Sequence, residues 1–155
     1  MTTADSPSTL LHFEDFHPGQ SFAFGRYDVT KQEIIEFAAE FDPQPHHLDE
    51  EAGKRSMLGG LAASGWHVCA MTMRMVDDEF IVKCANRGGV GSDECRWMKP
   101  VKPGDILRVE MDVLETRESK NNAGVGFVRF SCRVFNQSEQ VALVNMTPIL
   151  ARRGA

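Results

Sequence analysis

Between Gly59-Gly60 and Asp77 the chain carries Leu61, Ala62, Ala63, Trp66, Val68, Cys69, Ala70, Met71, Met73, Met75 and Val76. Read as a helix over Leu61 to Val76, this segment is apolar on nearly every side, and such a helix has to be wrapped by other structure. It is too short and too polar at its flanks to span a bilayer, so the wrapping must come from the protein itself. Methionines at these spacings read first as core filler, because a flexible thioether fits irregular gaps.

The material for the wrapping lies downstream. Leu107, Val109, Met111 and Val113 alternate with Arg108, Glu110 and Asp112, the pattern of a strand with one wet face. Val128, Phe130, Cys132 and Val134 alternate with Arg129, Ser131 and Arg133; beyond the turn over Asn136 to Glu139, Ala142, Val144 and Met146 alternate with Leu143 and Asn145. Cys95, Trp97 and Met98 fall in an earlier strand, followed by the turn Lys99-Pro100-Val101-Lys102-Pro103-Gly104-Asp105. An antiparallel meander needs its apolar face covered and the helix needs a sheet around it, so an α+β domain with an antiparallel sheet wrapped around a long central apolar helix satisfies both. With 155 residues and 42% hydrophobic content, the chain is sized for one such domain.

Upstream, Phe22, Phe24, Tyr27 and Val29 suggest a first strand ending near Asp28. Thr30-Lys31-Gln32-Glu33 then has the form of a reciprocal capping box, and Ile34, Phe37, Ala38 and Phe41 form one apolar stripe. Asp49 is placed to cap one or two helical turns reaching Arg55, whereas Asp77 to Gly89 loses periodicity and reads as a loop or a short overhanging segment. Residues 1–12 are polar and aperiodic, which makes a flexible tail the expectation, with the domain over 13–155. They also lack a basic start followed by an apolar run, so no signal peptide is visible and a cytoplasmic address is expected.

A net charge of -5, with no basic run longer than Arg152-Arg153, argues against nucleic acid as the partner and toward a small molecule. The four cysteines include no C-x-x-C pair, which fits neither a zinc ribbon nor a thioredoxin-type motif.

The chemistry concentrates in Asp42-Pro43-Gln44-Pro45-His46-His47. Two prolines one residue apart point to a rigid extended turn, in which His46 and His47 face opposite ways and one of them meets Asp42. An acid and an imidazole converging on one point can orient a water and exchange its protons near neutral pH. The plainer reading makes Asp42 a turn cap and both histidines surface residues. Adjacent histidines lack the spacings at which one element ligates one ion, so a metal is not expected. Gly65 stands near the first turn of the apolar helix, where amides lack internal partners and a missing side chain lets a ligand oxygen approach. Tight packing against a strand would demand a glycine there equally.

These residues resemble the MaoC-like dehydratases, the (R)-specific enoyl-CoA hydratases of the hotdog fold, over roughly residues 13–150. The family signature, Asp-x-Asn-Pro-hydrophobic-His, is matched by Asp42, Pro45 and His47. Gln44 stands where the family has asparagine, and Ser64 where a histidine usually precedes the glycine. The resemblance implies a hotdog domain that adds water to a trans-2-enoyl-CoA, or removes it, to give or consume an (R)-3-hydroxyacyl-CoA. Asp42 and His47 would hold the water and the Gly65 amide would receive the thioester oxygen, while Gln44, Ser64 and Trp66 bind or orient. It also implies a coenzyme A thioester as substrate, no metal or redox cofactor, and a homodimer or an assembly of dimers. An acyl-CoA thioesterase and a non-catalytic acyl-CoA binding subunit are the alternatives, since the fold serves several chemistries. Trp66 and the methionines behind it point to short acyl chains.

Overall fold

The computed structural model describes residues 9–155. In chain order its elements are β1 (Ser21–Asp28), α1 (Lys31–Phe41), α2 (Pro45–Leu48), α3 (Glu50–Arg55), α4 (Gly65–Glu79), β2 (Asn86–Gly89), β3 (Cys95–Trp97), β4 (Ile106–Glu118), β5 (Val125–Phe135), β6 (Gln140–Met146) and β7 (Pro148–Ala151). All seven strands join one antiparallel sheet in the order β1-β4-β5-β6-β3, and β7 pairs with the first part of β5 and with β2. One α+β domain results, its sheet curved over α4. No helix among the described residues is long and apolar enough to cross a membrane.

The buried residues of α4 are Val68, Met71, Thr72, Met75 and Val76, together with His67, whose ring stacks on that of Phe37 in α1 at 4.6 Å. Strand β1 reaches past this helix by bulging between Phe24 and Tyr27, where Gly25 has φ 95° and a Cβ would lie 2.8 Å from the Met75 sulfur. Only glycine suits both that backbone and that contact. At the far end of α4, Phe80 and Phe130 pack edge to face at 5.3 Å, and Phe16 lies 5.6 Å from Phe130. The alternating residues of β4 and β5 supply the sheet side of this core: Val109, Met111, Val128, Cys132 and Val134 are all at most 1% exposed.

Several sequence expectations need correction. The central helix begins at Gly65, four residues after Leu61, because Leu61 to Ser64 lie outside any helix or strand and two of their amides are taken elsewhere: Ala63 donates to the Val101 carbonyl at 2.8 Å and Ala62 to that of His46 at 3.4 Å. Nor is α4 covered all round, since Trp66 is 62% exposed and Met73 and Arg74 face outward. The segment Asp77 to Gly89 is no loop: it finishes α4 and then forms β2, which pairs with a seventh strand, β7, that the sequence pattern did not reveal. Thr30 does cap α1, accepting from the Glu33 amide at 3.2 Å, but Glu33 turns away to accept from the Tyr27 hydroxyl at 2.9 Å. Phe41, at the end of the α1 stripe, is exposed. Of the expected tail, residues 1–8 lie outside the described residues, whereas Leu11 is ordered in a bridge to Cys84, donating to Lys83 and accepting from Ala85, each at 2.8 Å.

Phe130 joins the sheet to the aromatic cluster at 1% exposure, so Phe130→Ala should leave a cavity and cost about 3–5 kcal/mol of stability. Urea unfolding of the two proteins measures the difference, and a loss below about 1 kcal/mol would mean that the cluster closes over the gap.

Candidate active site

The signature segment is not extended throughout. Proline is well suited to the first position of a helix, where its missing amide costs nothing, and Pro45 opens the helical turn α2 while Gln44 ahead of it stays extended. The helical turn separates His46 from His47 by rotation about an axis in place of strand alternation. Their rings stay in contact, 4.2 Å apart between centroids and at 66°. Only His47 is buried, and it is His47 that meets the acid: its Nε2 lies 3.5 Å from Asp42 Oδ2.

Two donors and one acceptor fix this pair. The Ser64 hydroxyl donates to Asp42 Oδ2 at 2.6 Å, and the Gln44 amide donates to Asp42 Oδ1 at 2.7 Å. On the other side of the imidazole, His47 Nδ1 lies 2.7 Å from the Ala62 carbonyl oxygen. A carbonyl can only accept, so Nδ1 carries the proton, and the neutral ring presents the Nε2 lone pair toward Asp42. The Ser64 hydroxyl, then the Gln44 amide, hold the Asp42 carboxyl below its ordinary range; partial burial opposes them, and the imidazoles of His47 and His46 add to the lowering. Asp42 therefore stays ionised while its side chain is only 17% exposed.

Asp42 is the C-cap of α1, Ser64 the N-cap of α4, and His47 the third residue of α2, so the site lies where three helix ends meet. Gly65 is the first residue of α4, and its amide has no intrachain acceptor among the described residues, as expected of a first-turn amide at the positive end of a helix. Its α-carbon is covered: a Cβ there would fall inside the Trp97 indole, which lies against it from β3. The glycine thus meets the packing demand of a neighbouring strand and leaves its amide free as well. Trp66, next in α4, stands edge-on to Trp97 at 5.1 Å.

Asp42, Gln44, His46, His47, Gly65 and Trp66 all line one cleft of about 570 Å³, while Ser64 lies fully buried behind Asp42. The far wall comes from Trp97 to Val101, with Lys99 as its one cation, and Met57, Leu58 and Val141 extend an apolar floor. Sequence reasoning had placed Trp97 and Lys99 only in a strand and a turn, and had not anticipated the Ala62 carbonyl. No side-chain pattern reports a backbone acceptor, whereas an exposed Trp before a Pro-x-x-Pro turn was a signal that could have been followed.

The MaoC like domain family model matches residues 15–130. An uncharacterized protein of Bacillus subtilis, YdeM, is 29% identical over 143 residues, covering 92% of this chain and 100% of that one. Among solved structures, a MaoC-like dehydratase from Rhodospirillum rubrum is 38% identical with a TM-score of 0.82, covering 94% of this chain and 99% of that chain. The R-hydratase of Pseudomonas aeruginosa is 27% identical with a TM-score of 0.68, over 91% of this chain and 85% of that chain.

Ser64→Ala removes the largest contribution to the lowered Asp42 value, so the Asp42 carboxyl should titrate at higher pH in the variant, as read by carbon NMR of the carboxyl group. An unmoved midpoint would show that Ser64 does not set it. Because the folded-state value lies below the unfolded one, Asp42 adds stability above its unfolded-state pKa and loses it as pH falls through the lowered folded value. In the variant that contribution shrinks, and it is gone at a higher pH.

Proposed function

Since the chain belongs to the MaoC-like dehydratase family of hotdog proteins, we propose that it hydrates a trans-2-enoyl-CoA to an (R)-3-hydroxyacyl-CoA, or catalyses the reverse dehydration. The observation that carries this reading is the convergence in one cleft of the Asp42–His47 pair, 3.5 Å apart, with the unpartnered Gly65 amide at the head of α4. The similarity to the R-hydratase of Pseudomonas aeruginosa supports the same direction.

In the proposed reaction a water lies on the cleft side of the pair, within reach of both Asp42 Oδ2 and His47 Nε2. His47, with Nδ1 held protonated by the Ala62 carbonyl, takes a proton from the water at Nε2 as the oxygen adds to C3 of the enoyl thioester. The imidazolium that forms faces the ionised Asp42, which stabilises it. Negative charge moves to the thioester oxygen, where the Gly65 amide and the positive end of α4 receive it. The proton then passes from Nε2 to C2, and the cycle closes with His47 neutral. This sequence needs no metal and no redox cofactor.

Trp66, Met57 and Leu58 bound the apolar part of the cleft and support acyl groups of short length. A homodimer is proposed as the working form. It is supported by the outer edge of β3 at the end of the sheet and by the exposed apolar side chains of Trp66, Met73 and Met98 beside it.

Hydration bleaches the absorbance of the conjugated enoyl thioester without freeing a thiol, whereas thioester cleavage frees one; a binding subunit does neither. The expected result is bleaching without thiol release, with the (R) product on chiral analysis. Asp42→Asn and His47→Asn should each lower turnover by ~100-fold to 10,000-fold with fold retained, and His46→Phe by no more than a few-fold. Thiol release at the rate of bleaching, or full activity in Asp42→Asn, would refute the assignment.

A further inference from the structure

Beside the cleft, a second pair of reactive groups converges that the proposed hydration does not use. Cys69 on α4 and Cys95 on β3 bring their sulfurs to 3.4 Å, and both are free thiols. The approach follows from two periodicities in register. Gly65 and Cys69 are four residues apart and stack on one face of α4, while Cys95 and Trp97 are two apart and point to one side of β3. The strand therefore lays Trp97 on Gly65 and Cys95 on Cys69 together.

The other two cysteines behave differently. Cys132 and Cys84 are both buried, and the Cys84 thiol donates to the Phe80 carbonyl at 3.5 Å. Cys95 is exposed at the sheet edge, and Cys69 lines an open apolar hollow of about 550 Å³ with Ala70, Met73, Val144 and Met146. In the single chain, reagent can reach this pair of sulfurs and neither of the others.

We propose that Cys69 and Cys95 form a thiol-oxidation site, closed into a disulfide by a two-electron oxidant of the hydroperoxide or azodicarboxamide class, which pins β3 to α4 with Trp97 held over Gly65. With a hydroperoxide, one thiolate attacks the peroxide oxygen, breaking the O–O bond and leaving a sulfenic acid and an alcohol or water. The second thiol then attacks the sulfenic sulfur, forming the S–S bond and releasing water. Two thiols lose two electrons and two protons, and the peroxide is reduced by the same two electrons. A disulfide spans about 2.05 Å, so closure asks the sulfurs to approach by little more than 1 Å, within the reach of side-chain rotation. Pairing of β3 with a second copy would engage its main-chain edge, leaving Cys95 and Trp97 directed at α4.

This inference does not depend on the hydration chemistry, and its test needs no substrate. The full-length protein is treated with azodicarboxamide in its native buffer, and free thiols are counted with the protein then denatured. The expected count falls from four to two, peptide mapping joins the Cys69 and Cys95 peptides within one chain, and dithiothreitol restores all four. Hydrogen exchange across residues 95–97 should slow on oxidation and recover on reduction. Oxidation should also quicken as pH rises, because burial first and then the neighbouring Cys69 lift the Cys95 thiol to about 11. Cys69→Ser and Cys95→Ser should each abolish the closure, with circular dichroism confirming that each variant is folded. A count that stays at four, a joined peptide containing Cys84 or Cys132, a disulfide between chains, or unchanged exchange over β3 would overturn the proposal.

Discussion

Burial of one face of α4 on the curved sheet is the constraint from which the rest of the molecule follows. Val68, Met71, Met75 and Val76 leave water together, and at ~25 cal/mol per Å² of apolar surface this face is a dominant source of cohesion between helix and sheet. Because β1 must pass the same helix at Gly25, against the Met75 sulfur, the helix cannot slide along the sheet without a clash. Its N-terminus is therefore fixed in space by packing far from any chemistry. The Gly65 amide, its dipole end and the Ser64 hydroxyl inherit that fixed position.

The polar groups of the cleft are rigid for a related reason: each is held by an element boundary. Ser64 is wholly buried and its hydroxyl is committed to Asp42, while the Ala62 carbonyl just before it is committed to His47 Nδ1. The irregular stretch Leu61 to Ser64 thus holds both members of the pair from one side, and it is itself clamped by Val101 through the Ala63 amide. Such prior orientation is what lets a carboxylate and an imidazole act on a water without first reorganising.

Much of this was legible in the residues, and the failures have physical causes. The strands β4 and β5 alternate cleanly because one face is buried and the other wet, and the Thr30 and Asp49 caps announce α1 and α3. The start of α4 was misplaced because Leu61-Ala62-Ala63 is as apolar as a helix face, and no local signal tells that Val101 and His46 compete for those amides. Strand β2 escaped notice because all four of its residues are exposed and two are glycines, so it has no period to read. In the signature segment, proline's aversion to helix interiors was weighed and its fitness for a first turn was not; Pro45 takes the second role. The choice of His47 over His46 rests on two grounds, the family's spacing from Asp42 and the alternation of an extended chain; the helical turn removes the second and leaves the first.

The two departures from the family signature have a common physical sense in this chain. Gln44, with a longer stem than asparagine, brings its amide onto Asp42 Oδ1, and Ser64, in place of histidine, brings a hydroxyl onto Oδ2. Both are neutral donors, so they lower the Asp42 value without adding a titrating group beside His47. A histidine at position 64 would place a further ionisable ring against the carboxylate, where serine places none. With serine there, the carboxylate is stabilised at every pH above its own titration, and His46 lies at the rim of the cleft. The lowered Asp42 carboxyl beside His47 therefore rests chiefly on two side chains that carry no charge.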